Sequence, residues 1–283
     1  MISDPDKIVA GITKVATYPA IADKFYKAIQ NPMSTSADLE NIILDDPALT
    51  SRLLSIANSA MFSLPQKVDT VQKALTLIGQ KQVHDIILSC EIVNVFGNIS
   101  EDILSVKNLW RHSLAVACAA RVIASLRREV NVERHFISGL LHDIGRLVLL
   151  LERSNTMSEV LASAKARGSY VYQEEKKLLG FDHSLVGGLL LKKWNIPAEI
   201  HIAIRHHHYP SVAKSYKIDA AILHIADIIV HAVGIGSSGD DYVPKLDSHA
   251  WGMLEIDIGS LNFIIEQMNL QYNVAATFIL GDI

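Results

Sequence analysis

Apolar residues recur along most of this chain at spacings of three and four positions, which is the period of an amphipathic α-helix. Residues 7–30 follow this pattern, with a break at Pro19 and an end before Pro32. The same period predicts further helices at residues 36–43, 47–56, 71–77, 83–96, 109–126, 134–151, 155–167, 171–180, 183–194, 197–208, 218–233 and 247–280. Because no strand-like alternation extends beyond a few residues, we predict an all-α fold, a multi-helix bundle.

Helix-start signals and a change of composition suggest how the chain is divided. Ser36 is the predicted N-cap of one short helix, and Asp46-Pro47 opens the next, since proline is tolerated in a first helical turn. The composition shifts at residues 97–101, which we interpret as a junction. Three parts follow: an N-terminal helical part (1–97), a second helical part on which it packs (98–235), and a loop with a C-terminal helical extension (236–283).

The amino-acid composition excludes several classes of protein. With 15 glycines and 8 prolines in 283 residues, the chain is poor in turn-forming residues, which disfavours β-sandwiches, collagen-like repeats and disorder. The apolar fraction of 49% allows a sizeable core, in one large domain or two closely packed ones. Lys and Arg number 26 against 30 Asp and Glu, so we expect no nucleic-acid partner and no membrane association.

Cysteine usage and hydropathy favour a cytoplasmic protein. Cys90 and Cys118 lie in apolar helical patterns and form no CxxC pair, so we expect two buried thiols. The N-terminus lacks the basic region and apolar stretch of a secretory signal. Residues 218–236 have the length of a membrane span, but the segment contains ionisable residues that are costly in a bilayer: Asp219, His224, Asp227 and His231. A buried helix is the better interpretation.

Several of the 12 histidines interrupt the apolar helices of the second half of the chain. His112 lies three residues after Leu109 and four before Val116, hence on a buried helix face. The adjacent pair His142-Asp143 interrupts a strongly apolar helix. The other positions of this kind are His183 at a helix start, His206, His207 and His208 at a helix end, and Asp227 between His224 and His231 on one helix face.

An ionised carboxylate in an apolar helix is costly unless it is paired or bound to a metal. Imidazole and carboxylate together suit Zn, Fe, Mn or Ni. Buried ion pairs would account for the same residues, and the residue types alone leave both interpretations open. We expect ordinary structural roles for the remaining histidines, which are His84, His135, His201 and His249.

The order His112, then His142-Asp143, then a distant Asp227 resembles the H…HD…D signature of the HD superfamily of metal-dependent phosphohydrolases. Three further histidines match those of the HD-GYP cyclic dinucleotide phosphodiesterases: His183, His207 and His208. The remaining segments are similar to the HDOD branch, to its N-terminal helical half at residues 45–62 and 72–88 and to its C-terminal half at residues 181–210. The resemblance spans residues 8–232.

This resemblance implies a centre for two divalent transition-metal ions. The first ion would be held by His112, His142, Asp143 and Asp227, and the second by His183, His207 and His208, with Asp143 as the bridge. Such a centre lowers the pKa of bound water and stabilises charge on phosphoryl oxygens. Asp143 and Arg146 would be the catalytic residues, because the Arg146 fork suits a phosphate oxygen. His224 and His231 would lie around Asp227 or be structural, and His206 would be a neighbour.

The chain also departs from the HD-GYP pattern at three positions. Arg146 stands where those enzymes have a lysine, and Tyr209-Pro210 follows the histidine pair in place of the Gly-Tyr-Pro loop. Asn108 stands where members with three metals place a glutamate. A third metal and recognition of cyclic di-GMP in the manner of those enzymes are therefore not expected.

Members of the HDOD branch are regarded as signalling modules. The resemblance therefore implies a regulatory module that retains the metal ligands and binds a signalling protein or a nucleotide effector. The alternative is an active metal-dependent phosphohydrolase that acts on a nucleotide or cyclic nucleotide. Fold analogy does not decide between them.

Overall fold

The computed structural model describes residues 4–12, 18–58, 66–96 and 102–280. The α-helices are, in chain order, α1 (Pro5–Ile12), α2 (Ala20–Gln30), α3 (Ser36–Leu44), α4 (Pro47–Ala57), α5 (Val71–Leu77), α6 (Gln80–Phe96), α7 (Val106–Leu126), α8 (Glu133–Leu141), α9 (Ile144–Glu152), α10 (Ser154–Arg167), α11 (Val171–Leu179), α12 (His183–Lys193), α13 (Ala198–Arg205), α14 (Lys217–Val233), α15 (Ser248–Leu254) and α16 (Leu261–Ala275). These residues contain no β-strand, so the all-α prediction is confirmed. Within the same residues, no helix has both the length and the mean hydropathy that a membrane crossing requires.

The chain forms two compact units, each built from two separate segments. The first unit combines Met1–Val15 with Ile99–Asn269, and the second combines Ala16–Asn98 with Leu270–Ile283. The predicted junction at residues 97–101 lies outside the described residues, and the three-part division of the chain stays a prediction.

The N-cap of helix α3 in the second unit lies one residue earlier than predicted. Thr35, rather than Ser36, is the N-cap, because its hydroxyl accepts from the backbone N–H of Asp38 while the Asp38 carboxylate accepts from the backbone N–H of Thr35. The start of α4 is confirmed, since Asp46 accepts from two backbone N–H groups and Pro47 occupies the first turn. In this unit α2 packs against α3 and α6, and α4 packs against α5 and α6.

Helix α7 is the centre of the first unit, with α8 and α14 packed against it. The backbones of α7 and α8 approach closely at Gly139, where a Cβ would lie 2.8 Å from the carbonyl carbon of Val116. The prediction of a single helix at residues 134–151 is wrong, because the structure has two helices there, α8 and α9, separated by His142 and Asp143. Asp143 leaves the helical conformation at this break, with φ −98° and ψ 10°. The break lies at the pair that the sequence analysis singled out as ligands.

His135 of α8 gives the first unit a pH-dependent stability. The ring is 1% exposed, and its burial, with the charges of Arg134 and Arg127, lowers the pKa from 6.5 to about 3. Between those values the unfolded chain binds a proton that the folded chain excludes, so the free energy of unfolding decreases as the pH falls below 6.5. The slope from one such group is about 1.4 kcal/mol per pH unit.

We therefore expect His135→Leu to weaken the acid sensitivity of the protein. Between pH 6 and pH 5, urea unfolding of the variant should lose about 1 kcal/mol less free energy than the wild type. His249→Leu is the control, because the side chain of His249 is 83% exposed. Equal pH dependence in the wild type and His135→Leu would contradict this role.

Candidate metal centre

Six helices and the segments next to them bring the seven predicted ligand residues together inside the first unit. His112 lies in α7, Asp227 in α14, and His183 is the first residue of α12. The break between α8 and α9 places His142 and Asp143, and the turn after α13 places His207 and His208. All of them except the partly exposed His208 are between 0 and 3% exposed. Helix α12 begins where it does because Asp182 caps it through the backbone N–H of Leu185.

One group of donors surrounds the carboxylate of Asp227. Its Oδ1 atom lies 3.0 Å from Nε2 of His112, 2.9 Å from Nδ1 of His231 and 3.8 Å from Nε2 of His142. Since His231 lies four residues after Asp227 on α14, both side chains occupy one face of that helix. His231 therefore contacts the proposed ligand directly, although the sequence analysis gave it only a surrounding or structural role.

A second group surrounds His183. Its Nε2 atom lies 3.0 Å from Oδ1 of Asp143 and 3.0 Å from Nε2 of His208. The other carboxylate oxygen of Asp143 lies 3.6 Å from Nε2 of His142. Asp143 thus stands between the two groups. Among the residues that the structure describes, ligand atoms within 4.8 Å of one another form four sets that could each hold a metal ion: His183, His207 and His208; His112, Asp227 and His231; His112, His142 and Asp143; and His142, His207 and Asp227.

Backbone carbonyls orient two of the imidazoles. Nδ1 of His142 donates to the carbonyl of Gly139 at 2.7 Å, and Nδ1 of His207 donates to the carbonyl of Ile204 at 2.7 Å. A carbonyl only accepts, so the proton is on Nδ1 and the lone pair of the neutral ring is on Nε2. Fixing one ring nitrogen in this way is typical of metal-binding histidines.

Two buried polar atoms of the centre have no hydrogen-bond partner among the residues that the structure describes: Nε2 of His207 and Oδ2 of Asp143. Unpartnered buried polar atoms are costly and uncommon. Their types, imidazole nitrogen and carboxylate oxygen, are ligands of Zn, Fe, Mn and Ni. The donor set therefore fits a divalent transition metal.

The electrostatics of the centre keep its two carboxylates ionised and lower the pKa of three rings, those of His112, His207 and His208. The pKa values of His183 and His231 are raised despite burial, because carboxylates face both rings. Burial alone would raise the pKa of Asp143, but Arg146, His142 and His183 hold it well below its ordinary value of 3.8. Asp227 behaves likewise, because His231 and His112 outweigh its burial and lower its pKa. Burial, with the neighbouring His142 and His183, lowers the pKa of His207 to about 3. Ionised carboxylates and neutral imidazoles are the forms that bind metals.

Arg146 lies inside the first unit rather than at an open surface. Its guanidinium is 1% exposed and faces three carboxylates, with Nη2 3.8 Å from Asp143, Nη1 3.4 Å from Asp240 and Nε 4.0 Å from Glu175. It also donates to the backbone carbonyl of Ser238. The arginine that was expected to bind a phosphate oxygen thus already has anionic partners in the protein.

Three residues of this centre escaped the sequence analysis. Glu175 lies in a run of charged residues that is typical of a solvated helix face, yet it is 0% exposed. Ser238 and Asp240 lie in the segment that we interpreted as a loop, and no local signal indicated that they face Arg146. Ser238 also contacts Nε2 of His231 through its hydroxyl at 3.0 Å.

His224 supports the centre without belonging to any of its ligand sets. Its Nδ1 donates to the carbonyl of His207 at 2.8 Å, and its Nε2 accepts from the backbone N–H of Asp247 at 2.9 Å. Both ring nitrogens are therefore engaged by backbone groups. His206 is partly exposed and lies outside the four ligand sets of the described residues.

Comparisons with known proteins agree with this architecture. The family model of the HDOD domain matches residues 15–210. The structure of an HDOD domain protein from Geobacter sulfurreducens is similar over 97% of this chain and 95% of its own, with a TM-score of 0.77 and 23% identity. A protein from Shewanella amazonensis SB2B, provisionally named a phosphohydrolase, is similar over 96% of this chain and 98% of its own, with a TM-score of 0.74 and 21% identity.

One curated relative is considerably longer than this chain. An uncharacterised protein of Treponema pallidum (strain Nichols) is 23% identical over 208 residues, or 73% of this chain. The chain spans 40% of the length of that relative.

Proposed function

This chain belongs to the HDOD domain family, and from that premise we propose that it is a signalling module that retains an HD-type centre for two divalent transition-metal ions. The observation that carries the proposal is the buried donor set of the first unit, in which Nε2 of His207 and Oδ2 of Asp143 have no hydrogen-bond partner among the described residues. A bound ion would give both of these buried atoms a partner.

We assign the first ion to His112, His142, Asp143 and Asp227 and the second to His183, His207 and His208. Asp143 would contribute to both ligand groups, since its two oxygens face His183 and His142 respectively. His231 extends the first group through its contact with Asp227. The ions, when bound, would supply Lewis acidity toward water and phosphoryl oxygens.

The position of Arg146 favours a regulatory role over catalysis. Its guanidinium is engaged by Asp143, Asp240, Glu175 and the carbonyl of Ser238, so a phosphate would have to displace residues of the 236–245 segment to reach it. We propose that a signalling protein recognises the conformation in which Arg146 is held by these residues, or that a nucleotide effector controls this conformation. The cytoplasm is the compartment that we propose for it.

The second candidate function is phosphodiester hydrolysis, which the retained donor set favours. In that case Asp143 would act at the reacting centre and Arg146 would bind a phosphate oxygen after leaving Asp240. The structural similarity to a protein provisionally named a phosphohydrolase is consistent with this candidate.

A hydrolysis panel separates the two functions. Metal-loaded wild type and Asp143→Asn are incubated with linear phosphodiesters, cyclic mononucleotides and cyclic dinucleotides, and products are separated by chromatography. For a regulatory module we expect no turnover above that of the variant on any substrate. Turnover by the wild type that is lost in Asp143→Asn would overturn the regulatory assignment and establish the hydrolase.

A further inference from the structure

Helix α11 contains none of the predicted ligands, but three of its residues contact the metal centre or its surroundings. The backbone N–H of Val171 donates to Asp240 at 2.7 Å. The ring of Tyr172 stacks on His208, with centroids 4.1 Å apart and an interplanar angle of 18°. Glu175 contacts His183. Helix α11 therefore lies behind the His183 side of the centre.

Glu175 makes two hydrogen bonds to a single histidine. Its Oε2 atom accepts from the backbone N–H of His183 at 2.8 Å and from Nδ1 of the same ring at 2.7 Å. The carboxylate thus holds both the start of α12 and the orientation of the imidazole. Both side chains are 0% exposed, so water does not compete for these bonds.

The contact with Glu175 is the shortest that Nδ1 of His183 makes, at 2.7 Å, while Nη2 of Arg146 lies 3.2 Å from Nδ1 and 3.3 Å from Nε2. A carboxylate only accepts, so the proton remains on Nδ1 and Nε2 is the nitrogen that can lose its proton to a metal. Nε2 is the atom that lies 3.0 Å from both Asp143 and His208. A carboxylate that accepts the N–H of one ring nitrogen also makes the other nitrogen of the histidine a more basic ligand.

We propose that Glu175 is a positioning residue for the metal ion on the His183, His207 and His208 side of the centre. The proposal rests on the proposed function, because it requires that the centre binds metal. Glu175 fixes the ring of His183 and thereby sets the affinity for that ion, while the ion on the Asp227 side depends on other contacts.

Glu174 provides a matched control on the same helix. It is also a buried glutamate, 1% exposed, but it bonds to Ser169, Lys177 and Arg167. Glu174→Gln and Glu175→Gln make the same chemical change at adjacent positions. The two differ in their partners, because Glu175 bonds to the proposed ligand His183 and the bonds of Glu174 go to Ser169, Lys177 and Arg167.

The test is calorimetric titration of the chelator-treated wild type and variants with Co²⁺. Visible absorption spectra of the Co²⁺-loaded proteins are recorded in parallel. We expect Glu175→Gln to weaken one of two binding events by about 10–100-fold and to leave the other unchanged. Glu174→Gln should bind both ions as the wild type does. Unfolding temperatures of the metal-free variants, measured beside the titrations, separate lost affinity from lost stability.

Wild-type affinity for both ions in Glu175→Gln would overturn the positioning role while leaving the metal centre intact. A wild type that binds no ion would instead refute the proposed function. If Glu175→Gln does not fold, ¹⁵N-histidine NMR of the Zn²⁺-loaded wild type provides the readout. The proposal requires a protonated Nδ1 and a deprotonated Nε2 on His183, and the reverse assignment would overturn it.

Discussion

Asp143→Asn should abolish high-affinity metal binding at both ligand groups. The carboxylate of Asp143 reaches His183 Nε2 at 3.0 Å with one oxygen and His142 Nε2 at 3.6 Å with the other. The amide keeps the shape of the side chain but loses the charge that offsets two cations, and its nitrogen cannot act as a ligand. Substitution of a residue that only supports a metal ligand lowers metal affinity by up to ~100-fold. Because Asp143 would itself be a ligand, we expect a larger loss of affinity. Calorimetric titration with Zn²⁺ measures this loss.

The exposed Asp241 provides the control for this substitution, because Asp241→Asn makes the same change in the neighbouring 236–245 segment. Circular dichroism should show the same helical content in both variants. Two ions bound by Asp143→Asn with wild-type affinity would exclude Asp143 as the bridge.

Gly145→Ala should be among the most destabilising small substitutions in the first unit. A Cβ at Gly145 would collide with the carbonyl oxygen of His183 and lie 2.6 Å from the backbone nitrogen of Gly187. Both are backbone atoms, so α9 and α12 would have to move apart. Overpacking of this kind costs about 1–3 kcal/mol. At 2–4 °C per kcal/mol for a unit of this size, the unfolding temperature should fall by ~2–12 °C.

The same substitution should also weaken metal binding, because α9 follows Asp143 and α12 begins at His183. The control is Gly252→Ala, since a Cβ at Gly252 in α15 would have no neighbour within 4 Å. That change should leave metal affinity unaltered and leave stability equal or up to about 1 kcal/mol higher. Equal unfolding temperatures for Gly145→Ala and the wild type would refute the close approach of α9 and α12.

The sequence was most informative where a histidine or an aspartate interrupts an apolar pattern. His112, the His142-Asp143 pair and Asp227 stand out because polar residues are rare on buried helix faces. The helical period located most helices to within a few residues. It did not reveal the break between α8 and α9, because the apolar pattern continues across His142 and Asp143.

The supporting residues could not be predicted because their partners are distant in sequence. Glu175 lies beside Glu174, Lys176 and Lys177, and the charge pattern of this run does not distinguish the buried glutamates from the exposed lysines. Asp240 reaches Arg146 from 94 residues away. Arg146 was interpreted as a phosphate contact from its residue type, and only the tertiary structure shows its acidic partners.

Elemental analysis of the wild-type protein, purified without added metal, tests the central claim most directly. We expect one to two transition-metal ions per chain and a much lower content in Asp143→Asn prepared in parallel. A wild type that is empty after purification, and that takes up no Fe²⁺, Mn²⁺, Zn²⁺ or Ni²⁺ on titration, would contradict the claim that these buried histidines and aspartates form a metal centre.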